Sequence, residues 1–288
     1  MNEPWTIKKL LDWTTDYFKK YGIEWPHLEA EILLSHSLKI PRIQLYVQFE
    51  RVLNEDELAE YKKLILRRSK REPIAYITGH QPFMSLDLEV NPSVLVPRPE
   101  TEKLVEVAIE SAKDLPFPHI ADIGTGSGAI AVALAKYLPK AKLIGTDTSK
   151  GAIEIAKRNA EKHGVSDRCQ FIEGDLFEPL AEYKDRFDMI VSNPPYIKTS
   201  EIDTLQPEIS KFEPRGALDG GEDGLKYYKQ IIGRADEYLK QSGLLIIELG
   251  AGQLREVQEI ISSSAKYAGT SVKKDLSGLD RVLVAEKG

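Results

Sequence analysis

The sequence predicts an α/β protein: an open, mostly parallel sheet covered by helices on both faces, preceded by a small helical domain. Three observations carry this. Beyond Pro99, strand-length apolar runs alternate with helix-length stretches, the signature of successive βα units. Before Pro73, apolar residues recur at helical spacing between recognisable caps. Between the two, Pro73, Pro82, Pro92, Pro97 and Pro99 interrupt the chain too often for a long helix.

In the first part, Ile7, Leu10, Leu11, Tyr17, Phe18 and Tyr21 define one helix, with Thr6 as its cap and Gly22 past its end. Pro26 opens a second helix carrying Leu28, Ile32, Leu33 and Leu38. Asn54 with Glu57 forms a capping box for a third, which turns Leu58, Tyr61, Leu64 and Ile65 inward and ends before Pro73. Residues 1–72 are therefore expected to be a helical domain. The apolar runs Ile74 to Ile77 and Leu86 to Val90 read as extended segments of a proline-rich β-hairpin linker, residues 73–98.

Residues 99–288 are expected to form the sheet domain. The pattern gives a helix to about Ala112, a strand at Ile120, a helix Ala129 to Tyr137, a strand Lys142 to Gly145 and a helix Lys150 to His163. Strands near Phe171 and at Phe187 to Ser192 follow, then a helix Leu225 to Leu239, a strand Leu244 to Glu248 and a helix from Gln253. Ser271 to Lys274 and Arg281 to Ala285 are close enough to pair as an antiparallel hairpin at the sheet edge.

With 42% hydrophobic and 29% charged residues, the 288-residue chain can bury a core, and disorder is excluded. No run approaches the roughly 20 apolar residues of a membrane helix, and the first 21 residues lack the apolar centre of a secretory signal, so a cytoplasmic protein is expected. Cys169 is the only cysteine, which excludes an internal disulfide. The five histidines show no ligand-like spacing, so no metal site is expected. Up to Pro82 there are 13 Lys and Arg against 12 Asp and Glu, and beyond it 26 against 33. So acidic a second part is a poor match for a phosphate backbone, and direct nucleic-acid binding is not expected. The one basic cluster, Lys62, Lys63, Arg67, Arg68, Lys70 and Arg71, reads as a solvated helix face paired with Glu55, Glu57 and Glu60.

Two motifs carry chemistry. Asp122-Ile123-Gly124-Thr125-Gly126-Ser127-Gly128 ends a strand and opens a helix, and its glycines let a ligand approach the helix N-terminus. Gly124-x-Gly126-x-x-Ala129, with Asp147 at the end of the next strand as a ribose-binding acid, suits NAD and S-adenosylmethionine almost equally. Asp122 tips the balance, because a carboxylate near the turn repels a pyrophosphate and suits a ligand bearing a sulfonium and an ammonium. Asp175, followed by Leu176, is placed to meet the adenine amine, with a plain loop aspartate as the alternative.

The second motif, Asn193-Pro194-Pro195-Tyr196, follows the strand Phe187 to Ser192. It suits a planar NH₂ group, whose lone pair is delocalised and must be oriented. The Asn193 side-chain carbonyl and the Pro194 backbone carbonyl can each accept one hydrogen, leaving the lone pair aimed at a methyl carbon. Tyr196 can stack on the group and offer π-density to the sulfonium. The residues alone thus reach a methyl transfer to a conjugated amine. The long stretch Ile197 to Gly224, with Gly216, Gly220, Gly221 and Gly224, is expected to be a lid that orders on substrate.

These residues resemble the protein-(glutamine-N5) methyltransferases of the HemK/PrmC type. The resemblance runs through Tyr76-Ile77-Thr78-Gly79 and Phe83, Leu95 to Glu102, Gly124 to Gly128, Asp147, Asn193 to Tyr196, and Glu213-Pro214-Arg215-Gly216-Ala217-Leu218. It implies a Rossmann-like class I S-adenosylmethionine-dependent methyltransferase domain with an N-terminal helical substrate-recognition domain. It further implies that the acceptor is the glutamine of a Gly-Gly-Gln loop in bacterial class-one peptide chain release factors. On that reading Asn193, Pro194, Pro195 and Tyr196 hold the glutamine. Asp122, Gly124, Thr125, Gly126, Ser127, Gly128, Asp147, Asp175 and Leu176 hold the donor, and Asn193 touches both. Some relatives carry a tryptophan where this chain has Leu176, so apolar packing replaces stacking there. The competing reading is an amino-methyltransferase acting on adenine or guanine in RNA or DNA, which would use the same Asn193 array.

Overall fold

The computed structural model describes residues 4–288, so the first three residues of the expected helical domain lie outside it. The chain divides into two compact units. The first runs to Gly79 and also takes in Gln206–Phe212, and the second comprises His80–Leu205 and Glu213–Gly288.

The helical unit contains α1 (Ile7–Lys20), α2 (Pro26–Leu38), α3 (Arg42–Val47), α4 (Glu55–Ser69) and α5 (Ile74–Thr78). The capping chemistry is as the sequence predicts: Thr6 Oγ1 accepts from Lys9 N, and Asn54 and Glu57 exchange side-chain and backbone bonds. Ile7, Leu11, Phe18, Leu33, Leu34, Leu45 and Tyr61 form its core. Two expectations need correction. Ile74–Thr78 is helical, because Pro73 occupies the N-cap, where its missing N–H costs nothing, and Gly79 closes the end in a left-handed conformation. The basic cluster is only partly a solvated face. Arg68 is buried between Glu29 and Glu208, and Arg71 donates to Glu208 at 2.7 Å and to the Gly22 carbonyl at 2.6 Å. Lys63 pairs as expected, with Glu60.

The second unit opens with a hairpin, β1 (His80–Phe83) and β2 (Leu86–Glu89). Then come α6 (Glu102–Ala112), β3 (His119–Ile123), α7 (Ala129–Tyr137), β4 (Lys142–Asp147), α8 (Lys150–Lys162), β5 (Cys169–Glu173) and β6 (Phe187–Ser192). Past α9 (Pro207–Phe212), which belongs to the helical unit, lie α10 (Lys226–Ala235), β7 (Leu239–Glu248), α11 (Leu254–Ser264), β8 (Tyr267–Lys274) and β9 (Asp280–Lys287). The sheet order is β5-β4-β3-β6-β7-β9-β8, parallel through β7 and antiparallel for the last two strands. Alternation of side chains along the strands feeds both faces. Ile120, Met189 and Ile246 pack with α6, α7 and α8, whereas Ile123, Ile190 and Leu245 pack with α10 and α11. The order in which the chain visits its strands reverses between β3 and β6, the switch point outside which open α/β sheets bind ligands.

Candidate functional site

A cavity lies at the C-terminal ends of β3, β4, β5 and β6. Ile123, Gly124 and Gly126 line it from the first strand, Thr146 and Asp147 from the next, Gly174, Asp175 and Leu176 from the third, and Asn193, Pro194 and Pro195 from the fourth. The glycine turn is anchored from below: Gly124 N and Thr125 N both donate to the Thr146 carbonyl at 2.9 Å. At Gly124 and Gly126, with φ of +74° and +55°, an added Cβ would meet no protein atom within 4 Å. Glycine is therefore required there by backbone conformation, and the turn opens onto the cavity. Gly128, with φ of +77°, is required on both counts, since a Cβ would also sit 3.0 Å from that of Ala156 on α8.

Asp147 is held by two backbone donors, Gly126 N to one carboxylate oxygen and Ser149 N to the other, both at 2.9 Å. An ionised carboxylate has about four acceptor sites, so two remain for a ligand. Burial pushes this group above the usual carboxylate range, opposed by the two backbone bonds. Leu176 turns its backbone through φ of +47° and its carbonyl accepts from Thr146 Oγ1 at 2.9 Å, which fixes an apolar side chain on the wall.

Other expected residues stand back. Asp122 is wholly buried behind the turn, with Oδ2 accepting from Thr125 Oγ1 at 2.6 Å and Oδ1 unpartnered, and burial pushes it up to about 7. Asp122, Thr125, Ser127 and Gly128 build the turn and are not among the residues that line the cavity. Tyr196 lines a neighbouring cleft with Ile197, Lys198, Leu225, Gly250 and Gln253, so the Asn193 to Tyr196 motif runs from one depression to the next. Gln253 Nε2 holds the Tyr196 carbonyl at 3.0 Å, and glycine at 250 leaves room for the tyrosine ring.

Further residues complete the site, and the sequence assigned none of them a role at the donor. Ser93, Val94 and Leu95 form one wall, and Pro214, Gly216, Ala217 and Tyr227 another. Buried Asn159 of α8 ties the β2 residue Glu89 to the Ser127 carbonyl of the glycine turn. Arg98 donates to the buried carboxylate of Glu213 at 2.6 Å, fixing Pro214 to Ala217 beside the proline-rich segment. The expected lid already carries short helical turns at Thr199–Thr204, Pro207–Phe212 and Arg215–Ala217, and its ends are joined by Gly220 N donating to the Ile197 carbonyl at 2.7 Å. Among the described residues, no helix is long and apolar enough to cross a membrane.

Residues 9–79 match the PrmC N-terminal domain, and residues 118–286 match a methyltransferase domain. The release factor glutamine methyltransferase of Geobacter sulfurreducens is 50% identical over 98% of this chain and 96% of its own length, and that of Rhodopirellula baltica is 43% identical over 99% and 97%. The chain belongs to the release factor glutamine methyltransferase family. Its solved likenesses support the class I fold. The catalytic domain of hMettl16 in complex with an RNA hairpin has a TM-score of 0.58 at 16% identity, covering 81% of this chain and 80% of that one. A methyltransferase from Pyrococcus furiosus has a TM-score of 0.51 at 20% identity, covering 70% and 89%. In this member of the release factor glutamine methyltransferase family, the cavity fits an adenosyl donor. An apolar wall at Leu176 faces the same space as the Asp147 carboxylate, and the glycine turn leaves its backbone uncovered.

Proposed function

We propose that this protein transfers a methyl group from S-adenosyl-L-methionine to the side-chain amide nitrogen of the glutamine in the Gly-Gly-Gln motif of bacterial class-one peptide chain release factors. The single observation that carries the reading is the identity of 50%, over nearly the whole of both chains, to a release factor glutamine methyltransferase. The geometry supports it, since an amide-reading motif and a donor-shaped cavity share Asn193, Pro194 and Pro195.

Asp147 accepts from the ribose hydroxyls, Leu176 packs on the adenine, and the Gly124 to Gly126 turn admits the amino-acid part of the donor. The donor supplies an electrophilic methyl group. Asn193 Oδ1 and the Pro194 carbonyl each accept one hydrogen of the glutamine NH₂, turning its lone pair toward the methyl carbon. The new N–C bond forms as the S–C bond breaks, the displaced pair stays on sulfur, and the nitrogen releases one proton to solvent. The products are N5-methylglutamine and S-adenosylhomocysteine. Tyr196 packs beside the amide plane.

Residues 1–72 serve to recognise the release factor, because a pocket that reads only CONH₂ cannot discriminate among glutamines. The chain passes from the helical unit at Gly79 into the hairpin that opens the second unit. Incubation with labelled donor and either purified release factor or RNA tests the reading: label in the release factor glutamine is expected. Label in RNA alone would favour the amino-methyltransferase of nucleic-acid bases.

A further inference from the structure

The acceptor motif Asn193 to Tyr196 can be fixed only from its two ends. At the near end it continues β6, where Ser192 is paired with Ile247 of β7 and its hydroxyl donates to the Ile123 carbonyl at 2.7 Å. In the middle, Pro194 and Pro195 carry no N–H, so neither can be tied down by a backbone donor of its own. The Pro194 carbonyl has to stay free for the methyl acceptor. At the far end the Tyr196 carbonyl accepts from Gln253 Nε2 at 3.0 Å, and Ile197 exchanges bonds with the Leu218 carbonyl at 3.0 Å and Gly220 N at 2.7 Å.

Gln253 stands at the N-cap of α11, yet its side chain makes no capping hydrogen bond. It reaches 57 positions back along the chain to Tyr196 instead, and its Nε2 also lies 3.5 Å from the Gly224 carbonyl. Both neighbours are carbonyls, so only the NH₂ end of the amide can face them. Oε1 at the other end is buried without a partner, a cost that a glutamine with no task beyond starting a helix does not incur. The surroundings leave Tyr196 no room to shift. A Cβ would lie 2.9 Å from the Tyr196 carbonyl carbon at Gly220, 2.5 Å from its carbonyl oxygen at Gly224, and 2.8 Å from ring atom Cδ2 at Gly250. The chain thus touches Tyr196 at three glycines, where backbone can approach without a side chain in the way. Tyr228 secures the third, accepting from Gly250 N and donating to the Glu248 carbonyl, both at 3.0 Å.

We propose that Gln253 is a positioning residue for methyl transfer. By holding the Tyr196 carbonyl it fixes the far end of the motif, and with it the Pro194 carbonyl and the tyrosine ring that meet the acceptor amide. The inference rests on that motif binding the acceptor. Gln253 lines the cleft beyond Tyr196 and is not among the residues of the donor cavity, so its loss is felt at the acceptor and not in donor binding.

The test measures kcat, KM for intact release factor, and donor Kd of the full-length enzyme. Gln253→Met, which keeps the length without a donor, should lower kcat about tenfold or more, with KM within about threefold and donor Kd within about twofold of the parent. Gln253→Glu, assayed near pH 8, keeps the shape and sets a carboxylate against two carbonyls, so it should lose at least as much. Hydrogen exchange of the parent without release factor needs no variant to fold: the Ile197 and Gly220 amides should already be protected. The inference is overturned by a folded Gln253→Met or Gln253→Glu variant with unchanged kcat, by a loss that lies wholly in donor Kd, or by Ile197 and Gly220 amides that exchange as fast as exposed chain. A folded Asn193→Ala variant with full activity would instead overturn the role of the motif, and this inference with it. Absence of release factor methylation by the parent enzyme would overturn the functional reading.

Discussion

Asp147→Ala should weaken binding of S-adenosylmethionine without unfolding the protein. In the structure the carboxylate uses one acceptor site on each oxygen for Gly126 N and Ser149 N, both at 2.9 Å. The two sites left are those a ribose diol can meet. Removing them costs one charge-assisted interaction at least, about 1.5–3 kcal/mol, which corresponds to a Kd raised roughly 10- to 150-fold. The variant also frees the Gly126 N–H, so the loosened turn adds to the loss. Asp147→Asn keeps the shape and one acceptor oxygen while removing the charge, and should fall between the alanine variant and the parent. Titration calorimetry with S-adenosylmethionine and S-adenosylhomocysteine reads the effect, and circular dichroism confirms the fold. A folded alanine variant whose Kd stays within about threefold of the parent would refute the reasoning. So would tight NADH binding by the parent together with none of S-adenosylmethionine.

Asn193→Ala should cost roughly 2–4 kcal/mol or more in transition-state stabilisation with the fold intact, and release factor methylation within about threefold of the parent would contradict its role. Arg68→Ala, which leaves Glu29 and Glu208 without their buried partner, should destabilise the helical unit by about 3–5 kcal/mol, read as a lowered denaturation midpoint. Asp122, pushed up to about 7 by burial, holds its proton more tightly folded than unfolded. Its contribution to stability is thus full below the ordinary aspartate range, about 4, and is lost as pH rises through about 7. Asp122→Asn should flatten that fall in pH-dependent melting of the donor-free protein. A chain beginning near Ile74 should still bind the donor but methylate intact release factor far more slowly, and equal rates would remove the helical domain from recognition.

The βα alternation, the caps at Thr6 and Asn54, the glycine turn, Asp147 and the Asn193 motif could all be read from the sequence. Each is local: a strand, a cap or a tight turn is specified by residues within a few positions of one another. The same reasoning mistook Ile74–Thr78 for extended chain, because a proline before a short apolar run permits both a strand and a first helical turn. It could not show that Asp122 is buried behind the turn, since adjacency to the glycines in sequence says nothing about which side of the strand a carboxylate occupies. Tertiary structure alone decided the rest. The walls at Ser93 to Leu95 and Pro214 to Ala217, the burial of Arg68 against Glu208, and the contact of Thr101 with Asn193 join residues far apart in the chain. Such contacts leave no period or spacing, because they arise only when the sheet has brought its strand ends together.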